Sequence, residues 1–269
     1  MKYLRPNILV SIIIILACFI FAACASSPPP TPEPQKVSFV IPTQPAALQA
    51  QPAAVIEPAA QAPPAPAETE EAIEPVVSTT FVEEFSYNAL SGGARAEGAE
   101  STLVRMEHGL YATFTATGLD PGDAVTLWWV IFNKPENCSN GQCGLDDIFL
   151  VDESGMMLKD DVGAPQPNVT GRAATEVSQL SGPGAIVDEG GNAKILARLP
   201  VGDTNEAQFG SGLLYPMTAD VHLVIRTHGP AVPSVVREQL TTEWGGCPEG
   251  WPKDPCRNVQ IAAHVPPGQ

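Results

Sequence analysis

Ala124-Val125-Thr126-Leu127-Trp128-Trp129-Val130-Ile131-Phe132-Asn133 reads as a β-strand that is apolar on both faces. Side chains alternate across a strand, so Trp128, Val130 and Phe132 point one way and Leu127, Trp129 and Ile131 the other. A strand of this kind belongs in the middle of a sheet, covered on both sides. One tryptophan is expected to fill the core, and the other to lie under a loop or to line a groove.

Working outward, Thr102 to Met106 and Leu110 to Ala116 are two short apolar runs joined by Glu107-His108-Gly109, a hairpin pattern with glycine in the last turn position. His108 is then a turn residue and no ligand. Ala185-Ile186-Val187 and Ala193 to Leu199 flank Asp188-Glu189-Gly190-Gly191-Asn192, which carries a second hairpin signal. Ala219 to Thr227 alternates, with Val221, Leu223 and Ile225 on one face and His222, Val224 and Arg226 on the other. Val259 to His264 reads as a closing strand, and Val169 to Leu180 is ambiguous between strand and short helix. Short strands separated by Gly, Pro and Asp turns predict an all-β fold, an antiparallel β-sandwich.

The sandwich does not account for the whole chain. Of 269 residues, none before Gly92 is glycine, whereas 13 of the 28 prolines fall between Pro28 and Pro75. Three regions follow: residues 1–23, a Pro/Ala/Glu-rich tether over 24–78, and a β-sandwich ectodomain over 79–269. The tether contains PPPTPEP and EPAAQAPPAPAETEEAIEP. Proline removes backbone donors and fixes φ, so neither helix nor sheet propagates there, and a disordered, partly polyproline-like stalk is expected. The 30 acidic against 14 basic residues give a net charge of −16. That balance excludes a phosphate-neutralising nucleic-acid binder.

At the N-terminus Lys2 and Arg5 precede an apolar run from Ile8 to Phe21, the order of an export signal. Phe21-Ala22-Ala23-Cys24 then resembles the lipobox of bacterial lipoproteins, with Phe21 where leucine is usual. The resemblance implies cleavage before Cys24, acylation of that cysteine, and attachment to the cell membrane or outer membrane through the lipidated N-terminus. The mature protein would be extracytoplasmic, in an oxidising compartment.

Cys138, Cys143, Cys247 and Cys256 are accordingly expected to form disulfides that pin long loops. Four cysteines allow three pairings, and the local one, Cys138 with Cys143 and Cys247 with Cys256, is favoured. Neither spacing is the C-x₂-C of a zinc knuckle. The stretches TGLDPGDAVTLWWVIFNKPENC and ADVHLVIRTHG resemble segments of uncharacterised secreted bacterial β-sandwich proteins, and more distantly CHRD and superoxide dismutase-like sandwiches. What this implies is architecture. The His-x-His pair of the copper-binding dismutases is absent here, so their activity is not implied.

No G-x-S-x-G elbow, H-E-x-x-H, phosphate loop or dinucleotide fingerprint occurs, so no catalytic residue is assigned. Asp146-Asp147 and Asp160-Asp161 lack calcium-loop spacing and read as solvated loop carboxylates. His222 and His228 share a strand face but stand roughly 20 Å apart at strand rise, too far to share a metal. His264 reads as a structural histidine. The best binding cluster is His222, Arg226 and His228 beside the aromatic strand, with Trp129. Arginine next to tryptophan can clamp an anionic or sugar ligand.

The expectation is a non-catalytic surface module, without metal or cofactor, that binds a protein, glycan or envelope component. The alternative is a metal-dependent redox or hydrolytic enzyme of the envelope using His222, His228 or His264 with loop carboxylates.

Overall fold

The computed structural model describes residues 74–88, 92–205, 207–249 and 254–268. The expected signal segment 1–23, the acylation site Cys24 and the tether as far as residue 73 lie outside the described residues. Among the described residues no helix is long and apolar enough to cross a membrane.

The aromatic run forms β4 (Asp123–Phe132), and every one of its residues is buried. It is hydrogen-bonded on one side to β5 (Val177–Ile186) and on the other to β8 (Asp220–Pro230), both antiparallel. The remaining strands are β1 (Val76–Glu84), β2 (Arg95–Met106), β3 (Gly109–Ala116), β6 (Ala193–Pro200), β7 (Ala207–Phe209) and β9 (Arg257–His264). The nine make a single sheet in the order β6-β3-β2-β1-β9-β8-β4-β5-β7. Every ladder in it is antiparallel.

That sheet curls over to form the sandwich. One buried cluster takes Phe114 from β3, Leu127, Trp129 and Ile131 from β4, Ile195 from β6 and Leu223 from β8. Residues near the two ends of the strand order thus meet in one core. Burying each such side chain contributes about 1.5–3 kcal/mol, which offsets the ordering of the chain. The core parity is the one predicted from alternation: Leu127, Trp129 and Ile131 face inward. Trp128, Val130 and Phe132 face outward into a smaller cluster.

Four local readings are made more definite by the structure. β1 begins at Val76, ahead of residue 79, because VVSTTFVEE alternates well enough to pair with β2 from Val76↔Arg105 onward. The β2–β3 turn has two residues, Glu107 and His108, since Met106 already pairs with Gly109. Glycine at 109 lets β6 approach: a Cβ there would lie 2.5 Å from the Leu199 carbonyl oxygen. Asp188 to Asn192 is a tight turn, with Asp188 Oδ1 accepting from the Gly190 and Asn192 amides at 2.9 Å. It does not close a hairpin, however, because β5 pairs with β4 and β7 while β6 pairs with β3. The turn carries the chain from one half of the folded sheet to the other. Finally, 169–180 is both helix and strand. α2 (Val169–Thr175) is capped by the Asn168 side chain accepting from the Gly171 amide, and β5 follows after Glu176 in a left-handed conformation.

The long excursion between β4 and α2 is organised by its own contacts. It holds α1 (Leu145–Ile148) and isolated bridges Phe149↔Pro167, Val151↔Met157 and Lys159↔Pro165. The disulfides are the local pair, Cys138–Cys143 and Cys247–Cys256.

Candidate functional site

The outer face of the β9-β8-β4-β5 region is floored by residues that strand alternation aims away from the core. Cross-strand partners share a face, so Trp128 lies beside Val224, Val130 beside His222, and Thr126 beside Arg226. Loops rise around this floor. On one side stand Phe85 and Tyr87, packed edge to face with centroids 5.0 Å apart. On another stands the loop stapled by Cys138–Cys143. The third wall is the segment after α3 (Val236–Thr241), which carries Trp244. α3 sits close on β5 because Gly184 has no side chain; a Cβ there would lie 2.7 Å from the Leu240 carbonyl oxygen. Together they enclose a cavity of about 1100 Å³ walled by Trp128, Trp244, Phe85, Tyr87, Phe149 and Phe209.

Two arginines are built into this wall. The Arg226 guanidinium lies 5.1 Å from the centroid of Trp128 and 4.6 Å from that of Trp244. It donates to Asn258 Oδ1 at 3.3 Å and to the Cys256 carbonyl at 3.4 Å. Burial pushes its pKa down from the usual arginine value, opposed by Glu243 and Tyr87. Arg172, from α2, stands 3.9 Å over the Phe209 ring and 5.2 Å from that of Phe149, with its Nε donating to the Ile148 carbonyl at 2.8 Å.

The histidines divide between the two faces. His222 faces outward on the cavity wall, its Nε2 3.3 Å from Asp220 Oδ1 and its ring against Phe132. His228 lies further along the same face but is fully covered. Its Nδ1 donates to the Gly245 carbonyl at 2.9 Å, and its Nε2 bonds the Thr126 hydroxyl at 2.8 Å. His264 pairs with Val221 of the core and so faces inward, where Ser78 bonds Nδ1 and Ser101 bonds Nε2. Burial, aided by the neighbouring arginine in each case, pushes the pKa of both His228 and His264 down to about 4.

His228 Nδ1 and the sulfurs of Cys247 and Cys256 lie within 4.8 Å of one another, a spacing at which three ligands could hold a metal ion. Both sulfurs are bonded to each other, and Nδ1 is occupied by Gly245, so the set offers no free thiolate. The enzyme alternative draws on His222, His228 or His264 with loop carboxylates; of these His222 lines the cavity, whereas His228 and His264 are buried in internal hydrogen bonds.

Of the predicted binding cluster, His222 and Arg226 reach the cavity wall. His228 is an internal hydrogen-bonding residue beneath the Gly245 segment. Trp129 is 1% exposed in the inner core, and its neighbour Trp128 takes the place at the cavity. The acidic pairs divide: Asp160 and Asp161 are exposed loop carboxylates, as expected, whereas Asp147 departs from that reading. Asp147 is buried and accepts from the Ser139 amide and hydroxyl and from the Gly144 amide, closing the disulfide loop. Asp160 Oδ1 accepts from the amides of Val162 and Ala164. These are turn-building carboxylates.

Arg172, Phe209 and Trp244 were not singled out by sequence. The composition of α2 and of the short β7 carries no mark of a site, and only the fold brings them to the wall. Arg105 is another such residue: it is buried inside the sandwich and donates to the carbonyls of Pro216, Ala219 and His264. Burial pushes its pKa down to about 10, against the pull of Asp220.

No protein-family model matches this chain, and no curated protein matches it.

Proposed function

We propose that this is a lipid-anchored, extracytoplasmic protein whose β-sandwich is a non-catalytic module that binds an envelope glycan in the cavity on its outer face. The observation that carries the reading is the aromatic-walled cavity of about 1100 Å³ beside β4 and β8. A concave site of that size suits a few sugar rings, whereas a folded protein partner favours a broad, flatter patch. Trp244 and Tyr87, both exposed, offer rings with a polar edge above the Trp128 floor, and Arg226, His222 and Gln179 supply planar hydrogen-bonding groups on the same wall. The lipobox-like Phe21-Ala22-Ala23-Cys24 and the proline-rich tether would display the module away from the lipid surface.

Affinity electrophoresis through gels containing envelope polysaccharide tests the binding. The wild-type protein is expected to be retarded and Trp128→Ala to run freely. Equal mobility with and without polysaccharide, across polymers of different composition, would sink the reading. For the anchor, mass spectrometry of the exported chain should find an acylated N-terminal Cys24, and Cys24→Ala should leave the membrane fraction.

A further inference from the structure

Arg172 is held in a way that its structural contacts do not exhaust. Its guanidinium is stacked on Phe209 at 3.9 Å and flanked by Phe149 at 5.2 Å. Its Nε is fixed by the Ile148 carbonyl at 2.8 Å. Among the described residues Nη1 and Nη2 have no acceptor, and no carboxylate stands within ion-pair distance. Arg172 lines the cavity. This is a guanidinium fork oriented in advance and left open.

The surroundings make that openness informative. Acidic residues outnumber basic ones 30 to 14 in this chain, so a half-buried arginine would find a carboxylate readily. Lys134, on the same excursion, does so with Glu176. On the cavity wall the acids lie elsewhere: Glu83 stands on β1, Glu243 next to Trp244 in sequence, and Asp254 faces Arg257. A fixed fork with two free N–H groups matches the two oxygens of a carboxylate, and loses little freedom on binding because stacking and the Nε bond have already oriented it. Aromatic faces surround it on the same wall.

Resting on the glycan reading above, we infer that the cavity takes an acidic saccharide, a sugar ring bearing a carboxylate that Arg172 binds through Nη1 and Nη2. Arg226, whose terminal nitrogens already serve Asn258 and Cys256, acts as a ring-facing wall residue.

The test compares three probes on the full chain in detergent, read by tryptophan fluorescence and calorimetry. Trigalacturonate carries both rings and charge, its full methyl ester carries the rings alone, and hexanoate carries a carboxylate without a ring. Trigalacturonate is expected to bind at least tenfold more tightly than the ester. Arg172→Gln should erase that difference while near-ultraviolet circular dichroism shows the fold retained. Arg172→Lys, which keeps charge but not the fork, should recover only part of it. Equal binding of acid and ester, in the wild type, overturns the acidic inference and leaves the glycan reading intact. Hexanoate binding as tightly as trigalacturonate, or no binding by any of the three, overturns the acidic inference, and the gel assay above decides the glycan reading separately.

Discussion

Trp128 and Trp129 are neighbours in sequence and nearly equally buried, 5% and 1% exposed, yet they belong to different regions of the molecule. Trp129 lies in the inner core, where apolar residues from β3, β4, β6 and β8 interlock. Trp128 lies in the outer cluster with Val130, Phe132, Ile148 and Val224, against arginine, disulfides and loops. The inner face is closed by the sheet folding over on itself. The outer face is closed only by loops that two disulfides and a set of carboxylate-bonded turns hold in place. One face therefore carries stability, and the other can keep a cavity open.

The contrast is most directly tested at the two tryptophans. Trp129→Ala should lose about 3–5 kcal/mol of unfolding free energy, the range for removing a large aromatic from a closed core. Trp128→Ala should lose less, about 2 kcal/mol, because the outer cluster is covered by loops that can settle into part of the space left. Urea denaturation of both variants measures this. Equal losses would mean that the outer cluster is as tightly packed as the core.

Acid sharpens the same comparison. His264 on the inner face and His228 on the outer each have a pKa pushed down to about 4, chiefly by burial. In the unfolded chain both return to about 6.5. They are neutral in the fold, so their contribution is complete above about pH 6.5 and is lost as the pH falls through that value towards 4, on the order of 3 kcal/mol for each. His264→Gln and His228→Gln should each flatten the stability–pH curve over this window. If His228 instead titrates near 6.5 by nuclear magnetic resonance, the outer face is wetter than its burial implies.

The disulfides should matter to one face only. Loop-closure entropy assigns about 2 kcal/mol to Cys138–Cys143 and about 3 kcal/mol to Cys247–Cys256. Double Cys→Ser variants should show those losses and a weakened cavity, with unchanged far-ultraviolet circular dichroism. Loss of sheet signal would show that the loops also support the core. The smallest effect is expected at Leu196, 70% exposed on the outward side of β6. Leu196→Thr should change stability by less than about 0.5 kcal/mol, as measured by thermal melting.

Much of the sheet was legible in the sequence because strand alternation is a local signal. The two-faced reading of Ala124 to Asn133 and the split of Val221, Leu223 and Ile225 from His222, Val224 and Arg226 both describe the structure. Strand pairing was less legible. Asp188 to Asn192 has the residues of a hairpin turn, but the choice of partner for β5 and β6 depends on which edges remain open after the sheet curls. The site was legible in part. Arg226 and His222 could be found because they sit on a strand beside the aromatic run, whereas Arg172 and Phe209 lie far along the chain and reach the wall through α2 and β7.

By itself the sequence determined the all-β class, the central place of the aromatic strand, and the separation of a proline-rich region from a glycine-bearing one. These follow from periodicity and composition, which each residue expresses with its neighbours alone. Only the tertiary structure decided which tryptophan meets the cavity, that His264 and His222 stand on opposite sides of the sheet, and that Arg172 has an open fork. Those depend on the curl of nine strands and on loop packing, where residues distant in sequence become neighbours and burial is set by what covers them.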